Sequence, residues 1–297
     1  MFGWTPLHTA ASKGFLNVVE YLINQKSDIN AKDKDNQTPL HHAACNGHLS
    51  VVEYLVNRKA DINTHSSGFI SGTPLHIAAS KGFLNVVEYL VNQKSDINAK
   101  DKDDQTPLHG AALYGHLSVV EYLINQKANV NAKTKYDRTP LHLATINGRF
   151  SVVEYLVNQK SDVNAKDKDD RTPLHHSARN DHLDVVEYLI NQKAVIDAKD
   201  KDDQTPLHHA ARNGYLSVVE YLVNQKSDIN AKDKDGRTPL HIAACNDNLD
   251  IVEYLINQKA DINAKDKDDQ TPLRLAANHH HHSVVKCIQK AKKKSRR

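Results

Sequence analysis

Sulfur, bulky aromatics and long apolar stretches are all scarce in this chain of 297 residues, which has one Met, one Trp, five Phe, three Cys and no apolar run longer than four residues. A helix that crosses a bilayer needs about twenty apolar residues in succession, so no membrane span is expected. The opening MFGWTPLHTAAS lacks the basic and then apolar stretch of a secretory signal. Cys45, Cys245 and Cys287 are too few and too scattered for a disulfide framework, and an odd count suits a reducing compartment. Hydrophobic residues reach only 39 %, which argues against one deep core. The expected compartment is the cytoplasm.

Catalytic signatures are missing too. There is no phosphate-cradling Gly-rich loop, no Gly-x-Ser-x-Gly elbow, no Cys-x-x-Cys and no His-Glu-x-x-His. Neither an enzymatic activity nor a cofactor nor a small-molecule substrate is therefore expected. Positive charge is concentrated at one end, where residues 286–297 carry seven Lys and Arg and no acid, leaving a net charge of −4 on the rest. That body would repel phosphate, and no basic stripe with interleaved aromatics offsets it, so nucleic acid is not an expected partner. The run Lys292–Arg297 has the composition of a nuclear-import signal.

What the chain does have is self-similarity. Thr-Pro-Leu, which holds all nine prolines, recurs at Thr5, Thr38, Thr73, Thr106, Thr139, Thr172, Thr205, Thr238 and Thr271, every 33 residues apart from one step of 35. Such a period marks a solenoid, whose units bury their apolar faces only by stacking on neighbours. Within residues 99–131, Thr106 caps a first helix, Pro107 takes its first position, and Leu108, Ala111 and Ala112 form a narrow apolar face ended by Gly115. Ser118 and Glu121 have the spacing of a capping box for a second helix, as do the equivalent pairs from Asn17/Glu20 to Asp250/Glu253. Leu117, Val120 and Ile124, with Val119 and Leu123 beside them, make that helix's apolar stripe. Asp-Ile-Asn-Ala-Lys-Asp-Lys-Asp-Asp then suits a projecting hairpin-like finger.

T-P-L-H-x-A-A at this period, followed by G-H-L-x-V-V-E-Y-L and D-I-N-A, resembles the ankyrin repeat over essentially the whole chain. The resemblance implies an all-α fold, a curved right-handed solenoid of stacked antiparallel helix pairs with fingers along one edge. The array is expected over residues 1–290, with repeats beginning near 1, 33, 66, 101, 134, 167, 200, 233 and 266, followed by a basic tail at 291–297. Lys26, Lys59, Lys94, Lys127, Lys160, Lys193, Lys226 and Lys259 stand where the family usually has glycine. Polar changes in the ninth repeat, such as Arg274 for His and Lys286 for Glu, suit a terminal cap. Phe2 and Trp4 leave an apolar opening end, as in a chain trimmed from a longer protein or covered by another surface.

The function implied is a non-enzymatic scaffold, monomeric, that binds a protein partner through a concave groove and the finger tips. The alternative is the targeting segment of a larger toxin or host-directed effector, exported without a recognisable signal, whose active domain lies elsewhere. Positions that vary between copies within this chain are the ones that can encode a partner's shape. They select Leu113, Tyr114, Tyr136, Arg138 and Ile146, extended by Arg171, Arg179 and Arg212. Phe69 and Ile70, in the finger with two extra residues, form a second candidate patch. Asn30, Asn63, Asn98, Asn164, Asn230 and Asn263 resemble the positions that a 2-oxoglutarate-dependent asparaginyl hydroxylase modifies on ankyrin proteins. The motif histidines, from His8 to His241, are read as bonding back to the capping Thr or to an adjacent loop. Consecutive side chains at His279–His282 diverge, unlike a tetrahedral zinc site, so no metal is assigned.

If cohesion passes only between neighbours, an excised pair of repeats should melt at a lower temperature and more broadly than the whole chain. Comparison of the two by circular dichroism checks this.

Overall fold

The computed structural model describes residues 3–68 and 71–294; Phe69, Ile70 and the last three residues of the basic run lie outside the described residues. Each first helix starts where the sequence predicts it, because Thr lies in extended backbone and Pro occupies the first turn. In the unit Met1–Ser161 the helices are α1 (Pro6–Lys13), α2 (Leu16–Asn24), α3 (Pro39–Cys45), α4 (Leu49–Asn57), α5 (Pro74–Lys81), α6 (Leu84–Asn92), α7 (Pro107–Tyr114), α8 (Leu117–Asn125), α9 (Pro140–Ile146) and α10 (Phe150–Asn158). In the unit Asp162–Arg297 they are α11 (Pro173–Arg179), α12 (Leu183–Asn191), α13 (Pro206–Asn213), α14 (Leu216–Asn224), α15 (Pro239–Cys245), α16 (Leu249–Asn257), α17 (Pro272–Asn278) and α18 (His282–Lys294).

Within each unit the odd-numbered helices pack in one row and the even-numbered in a second, with each pair joined by a tight turn. The core lies between the rows. Leu108, Ala111 and Ala112 of α7 are fully buried, and so are Val119, Val120 and Leu123 of α8. The second helix is rotated slightly from the predicted stripe, since Leu117 and Ile124 are only half-buried. A buried Val or Leu contributes about 1.5–3 kcal/mol, and helices this short cannot hold their shape alone. Among the described residues no strand forms, and no helix is long and apolar enough to cross a membrane. The basic end is not a separate tail from residue 291, because α18 continues through Lys294.

The predicted capping box of the second helix does not form. Helix α8 begins at Leu117, so its N-cap is His116 and Ser118 lies one residue inside. The physical reason is in the backbone: the N–H of the N-cap residue donates to a carbonyl of its own first helix in every repeat, as His116 to Ala111, and the side chains of His48, His116, Arg149 and Asn248 also serve the preceding repeat. His116 donates from Nε2 to the Ser80 carbonyl at 2.9 Å, and His48 does the same to Ser12 at 3.0 Å. Arg149 Nε donates to the Leu113 carbonyl and Asn248 Nδ2 to the Arg212 carbonyl. These bonds satisfy carbonyls left open at the end of the previous first helix. A Cβ on Gly82, which sits at φ +80°, would run into the His116 ring.

The motif histidine makes the opposite link. Its Nδ1 accepts from the backbone N–H of the Thr that starts its own helix, at 3.0–3.1 Å. Its Nε2 donates to a carbonyl of the next repeat at 3.0–3.2 Å, for example His109 to Arg138 and His208 to Arg237. Both readings of this residue, the cap and the adjacent loop, are realised at once.

Backbone strain sits where glycine is replaced. Lys26, Lys59, Lys94, Lys127, Lys160, Lys193, Lys226 and Lys259 take φ of 65–72° at the end of each second helix. Fingers close through Asp N–H to Gln or Arg carbonyl bonds, such as Asp33 to Gln37. Successive fingers are tied by backbone bonds, as from Lys135 to Asp103, Lys201 to Asp169 and Lys234 to Asp202.

Burial pulls the histidines down, His41, His109 and His175 to about 4, and lowers His76, His208 and His241 as well. An unfolded histidine titrates near 6.5, so between about 6.5 and about 4 the unfolded chain binds more protons than the folded one. Stability contributed by these neutral rings is complete above pH 6.5 and is lost on acidification through that window, by up to about tenfold in the folding constant per pH unit for each ring. Chemical denaturation at pH 7.5, 5.5 and 4.5 should show a steep fall in midpoint, and a flat profile would contradict it.

Candidate functional site

The fourth residue after each Thr varies among the first helices, and where it is histidine its partner lies in the finger. In three repeats it is a buried histidine, His42, His176 or His209, whose Nε2 lies 2.9 Å from Oδ2 of Asp33, Asp167 or Asp200. The other oxygen of each Asp accepts two backbone N–H groups that close the finger turn, from Asp35 and Gln37 in the case of Asp33. Burial works against charge on these carboxylates, but the imidazole donor and the backbone N–H groups outweigh it and hold all three below the usual carboxylate range. Burial also keeps His42 below its ordinary value, so a neutral ring donates. Each pair clamps a finger onto the helix that follows it. Sequence reasoning missed these clamps, although His-His after Thr-Pro-Leu with Asp nine residues upstream is a readable signal.

Repeat five replaces both partners, with Thr134 for Asp and Leu143 for His, and Thr134 Oγ1 still accepts the Tyr136 and Arg138 N–H groups at 3.2 Å. Its finger tip carries Tyr136, half exposed at 50 %, with Lys135 Nζ 5.1 Å and Arg138 Cζ 5.7 Å from the ring centroid. Lys135 also pairs with the Asp103 carboxylate of the preceding finger. The fold thus brings Tyr136 and Arg138 together.

Tyr114 ends α7 immediately before Gly115, where the other repeats carry Lys, Asn or, in the ninth, His279, and its side chain is 41 % exposed. Leu113 and Ile146 are half-buried at the ends of α7 and α9. In the second unit Arg171 is turned inward, 3.1 Å from Asp169 and 3.5 Å from Asp200. Arg179 and Arg212 end their helices in the open, and packing of α11 on α13 sets them one repeat apart. The candidate patch Phe69 and Ile70 falls outside the described residues.

The finger asparagines carry a structural load. Oδ1 of Asn30, Asn98, Asn164 and Asn230 accepts the N–H of Asp61, Asn129, Val195 and Asp261 in the next repeat, each at 2.9 Å, and Asn63 accepts that of Asp96 at 3.3 Å. Asn263 Oδ1 has no such bond, while its own N–H donates to Asp261. His281 donates to the Cys245 carbonyl and lies 3.7 Å from Asp247. His279 stacks on His281 at 5.8 Å, and among the described residues no group of three or more His, Cys, Asp or Glu is placed to hold a metal ion. The three cysteines are free thiols, and burial raises that of Cys287.

A family model described as ankyrin repeats in three copies matches residues 2–66, 75–167, 159–233 and 225–296, and a second, for ankyrin repeats in many copies, matches residues 46–91. No curated protein matches the chain.

Repeat five shows how a finger clamp can be exchanged. His42→Leu alone removes the donor from the buried Asp33 and should cost roughly 2 kcal/mol. Adding Asp33→Thr should recover much of that loss, since the pair then has the composition of Thr134 and Leu143. A double-mutant cycle by urea unfolding measures the coupling, which should be well above zero.

Proposed function

The chain belongs to the ankyrin repeat family, whose members generally mediate contacts between proteins, and from that premise we propose that it is a non-enzymatic interaction scaffold that captures a protein partner. The first-helix ends and finger tips of repeats four and five are the docking face. One observation carries this reading: Tyr114 and Tyr136 are large aromatics exposed at 41 % and 50 %, at positions where the sister repeats present small polar or charged side chains. Exposed tyrosine with arginine beside it is the composition of binding hot spots. Leu113 and Ile146 add half-buried apolar surface close to the two rings in sequence, and Arg138 presents its guanidinium to Tyr136.

In the second unit Arg179 and Arg212 supply exposed cations at equivalent positions of neighbouring helices, suited to an acidic stretch of a partner. Arg171 is assigned instead to holding its finger, through Asp169 and Asp200. The three unpaired thiols favour the cytoplasm as the site of action.

Tyr114→Ala combined with Tyr136→Ala should weaken capture of a partner from the source cell at least tenfold and leave the thermal midpoint nearly unchanged, because neither ring is in the core. Quantitative pull-down beside a thermal melt checks both parts. Capture at the level of the unaltered chain would remove this face.

A further inference from the structure

In repeats two, six, seven and eight the outer oxygen of the finger carboxylate meets a side-chain nitrogen as hydrogen-bond partner, and among the described residues none does so in repeat four. His42, His176 and His209 meet Asp33, Asp167 and Asp200 from the following helix. From the residue just before the previous Thr an amide donor or the cation of an ion pair reaches forward to the same oxygen. Arg171 Nε lies 3.5 Å from Asp200 Oδ2, Arg237 Nε 3.8 Å from Asp266 Oδ2, and Gln204 Nε2 donates to Asp233 Oδ2 at 3.3 Å. At Asp101 both positions are glycine. Gly110 replaces the histidine and Gly72 replaces the arginine or glutamine. Asp101 Oδ1 keeps its turn bonds to the Asp103 and Gln105 N–H groups, while Oδ2 accepts only the Ser71 hydroxyl at 3.0 Å. Among the described residues no cation pairs with it.

Beside Gly110 lies a cleft of about 240 Å³, lined by Asp101, Asp103, Ser80, Gly110 and Tyr114 among others. Asp103 is already matched by Lys135, and Lys102 lines the cleft as well without an ion pair to Asp101, so Asp101 is the carboxylate there that no direct partner neutralises. The Tyr114 side chain stands at its edge, exposed.

We propose that this cleft receives an arginine side chain from a partner peptide, its guanidinium donating to Asp101 Oδ2 and stacking on Tyr114. The sister repeats are the internal template. They show that this carboxylate is approached by planar nitrogen groups from two directions, a ring bonded from the helix side and, from the finger side, an amide donor or a guanidinium in an ion pair. Arginine suits the vacancy better than lysine, because a flat fork can follow the place of the missing imidazole and lie against an aromatic face, whereas an ammonium is a compact, strongly hydrated point charge. The inference rests on the docking face proposed above and names the chemistry that one part of it reads.

The test uses the full chain and needs no identified partner. Amide shifts of isotopically labelled protein are followed by NMR during titration with N-acetyl-arginine methylamide, and with the citrulline counterpart, which has the same shape without the charge. Arginine should give saturable shifts centred on Ser80, Gly110 and Tyr114, with the citrulline compound at least tenfold weaker. Asp101→Asn keeps the Oδ1 acceptor that closes the finger and should abolish the arginine response with little change in thermal unfolding. Gly110→His should restore the internal pair and also abolish it. A Cβ there would run into the Ser80 hydroxyl, so Asp101→Asn carries the test if that variant does not fold. Equal response to citrulline, an unchanged arginine response in Asp101→Asn, or no localised shift overturns the proposal. Each of these leaves the docking face itself to be judged by the tyrosine capture assay.

Discussion

The neutral imidazole at the third position of the first helix in repeats one to eight is the group on which cohesion between repeats depends, because it is held at both ends. Nδ1 accepts from the Thr that begins its own helix, and Nε2 donates to a carbonyl of the following repeat. Only the neutral ring with its proton on Nε2 can do both. Burial enforces that state by penalising the cation, and the resulting bonds make it structurally worth keeping. Because each ring links one repeat to the next within a unit, stability is built up from nearest neighbours, as in a one-dimensional array.

Several other links run in the same register. At His48, His116, Arg149 and Asn248 the N-cap side chains of the second helices reach back to open carbonyls of the preceding repeat, the finger asparagines accept from the next finger, and finger backbones bond to one another. With so many groups committed to cohesion, few positions are free to vary. Those few are the fourth and the last residues of the first helix and the tip of the finger. Variation there changes what the surface presents without disturbing the stack, as repeat five does by exchanging an Asp–His clamp for Thr134 and Leu143 while retaining the turn.

Much of this was legible in the residues. Thr-Pro at nine regular positions defines the first helices, since a fixed φ and a hydroxyl acceptor act locally. Lys94 or Asp104 at a glycine position signals left-handed backbone, and the structure places both there at φ 70° and 59°. The second-helix cap was misread for a physical reason. Ser118 and Glu121 have the local spacing of a capping box, but the helix starts one residue earlier because the His116 N–H is bonded back to Ala111 in the tight turn from the first helix. The finger clamps escaped notice since Asp33 and His42 are nine residues apart and each has an unremarkable local reading.

What the sequence determined by itself was everything carried by period and local stereochemistry: the all-helical repeat, the length of each repeat, the starts of the first helices, the turns with positive φ, and the positions free to differ. The tertiary structure alone decided which of those positions are accessible and which are spent. It turned Arg171 inward to Asp200, left Tyr114 and Tyr136 open, and converted Gly110 from a weak helix residue into a cleft beside an unmatched carboxylate. The reason is distance along the chain. Propensities and caps act over a few residues, whereas exposure and pairing at each of these sites depend on a neighbour about 30 residues away that only stacking brings into contact.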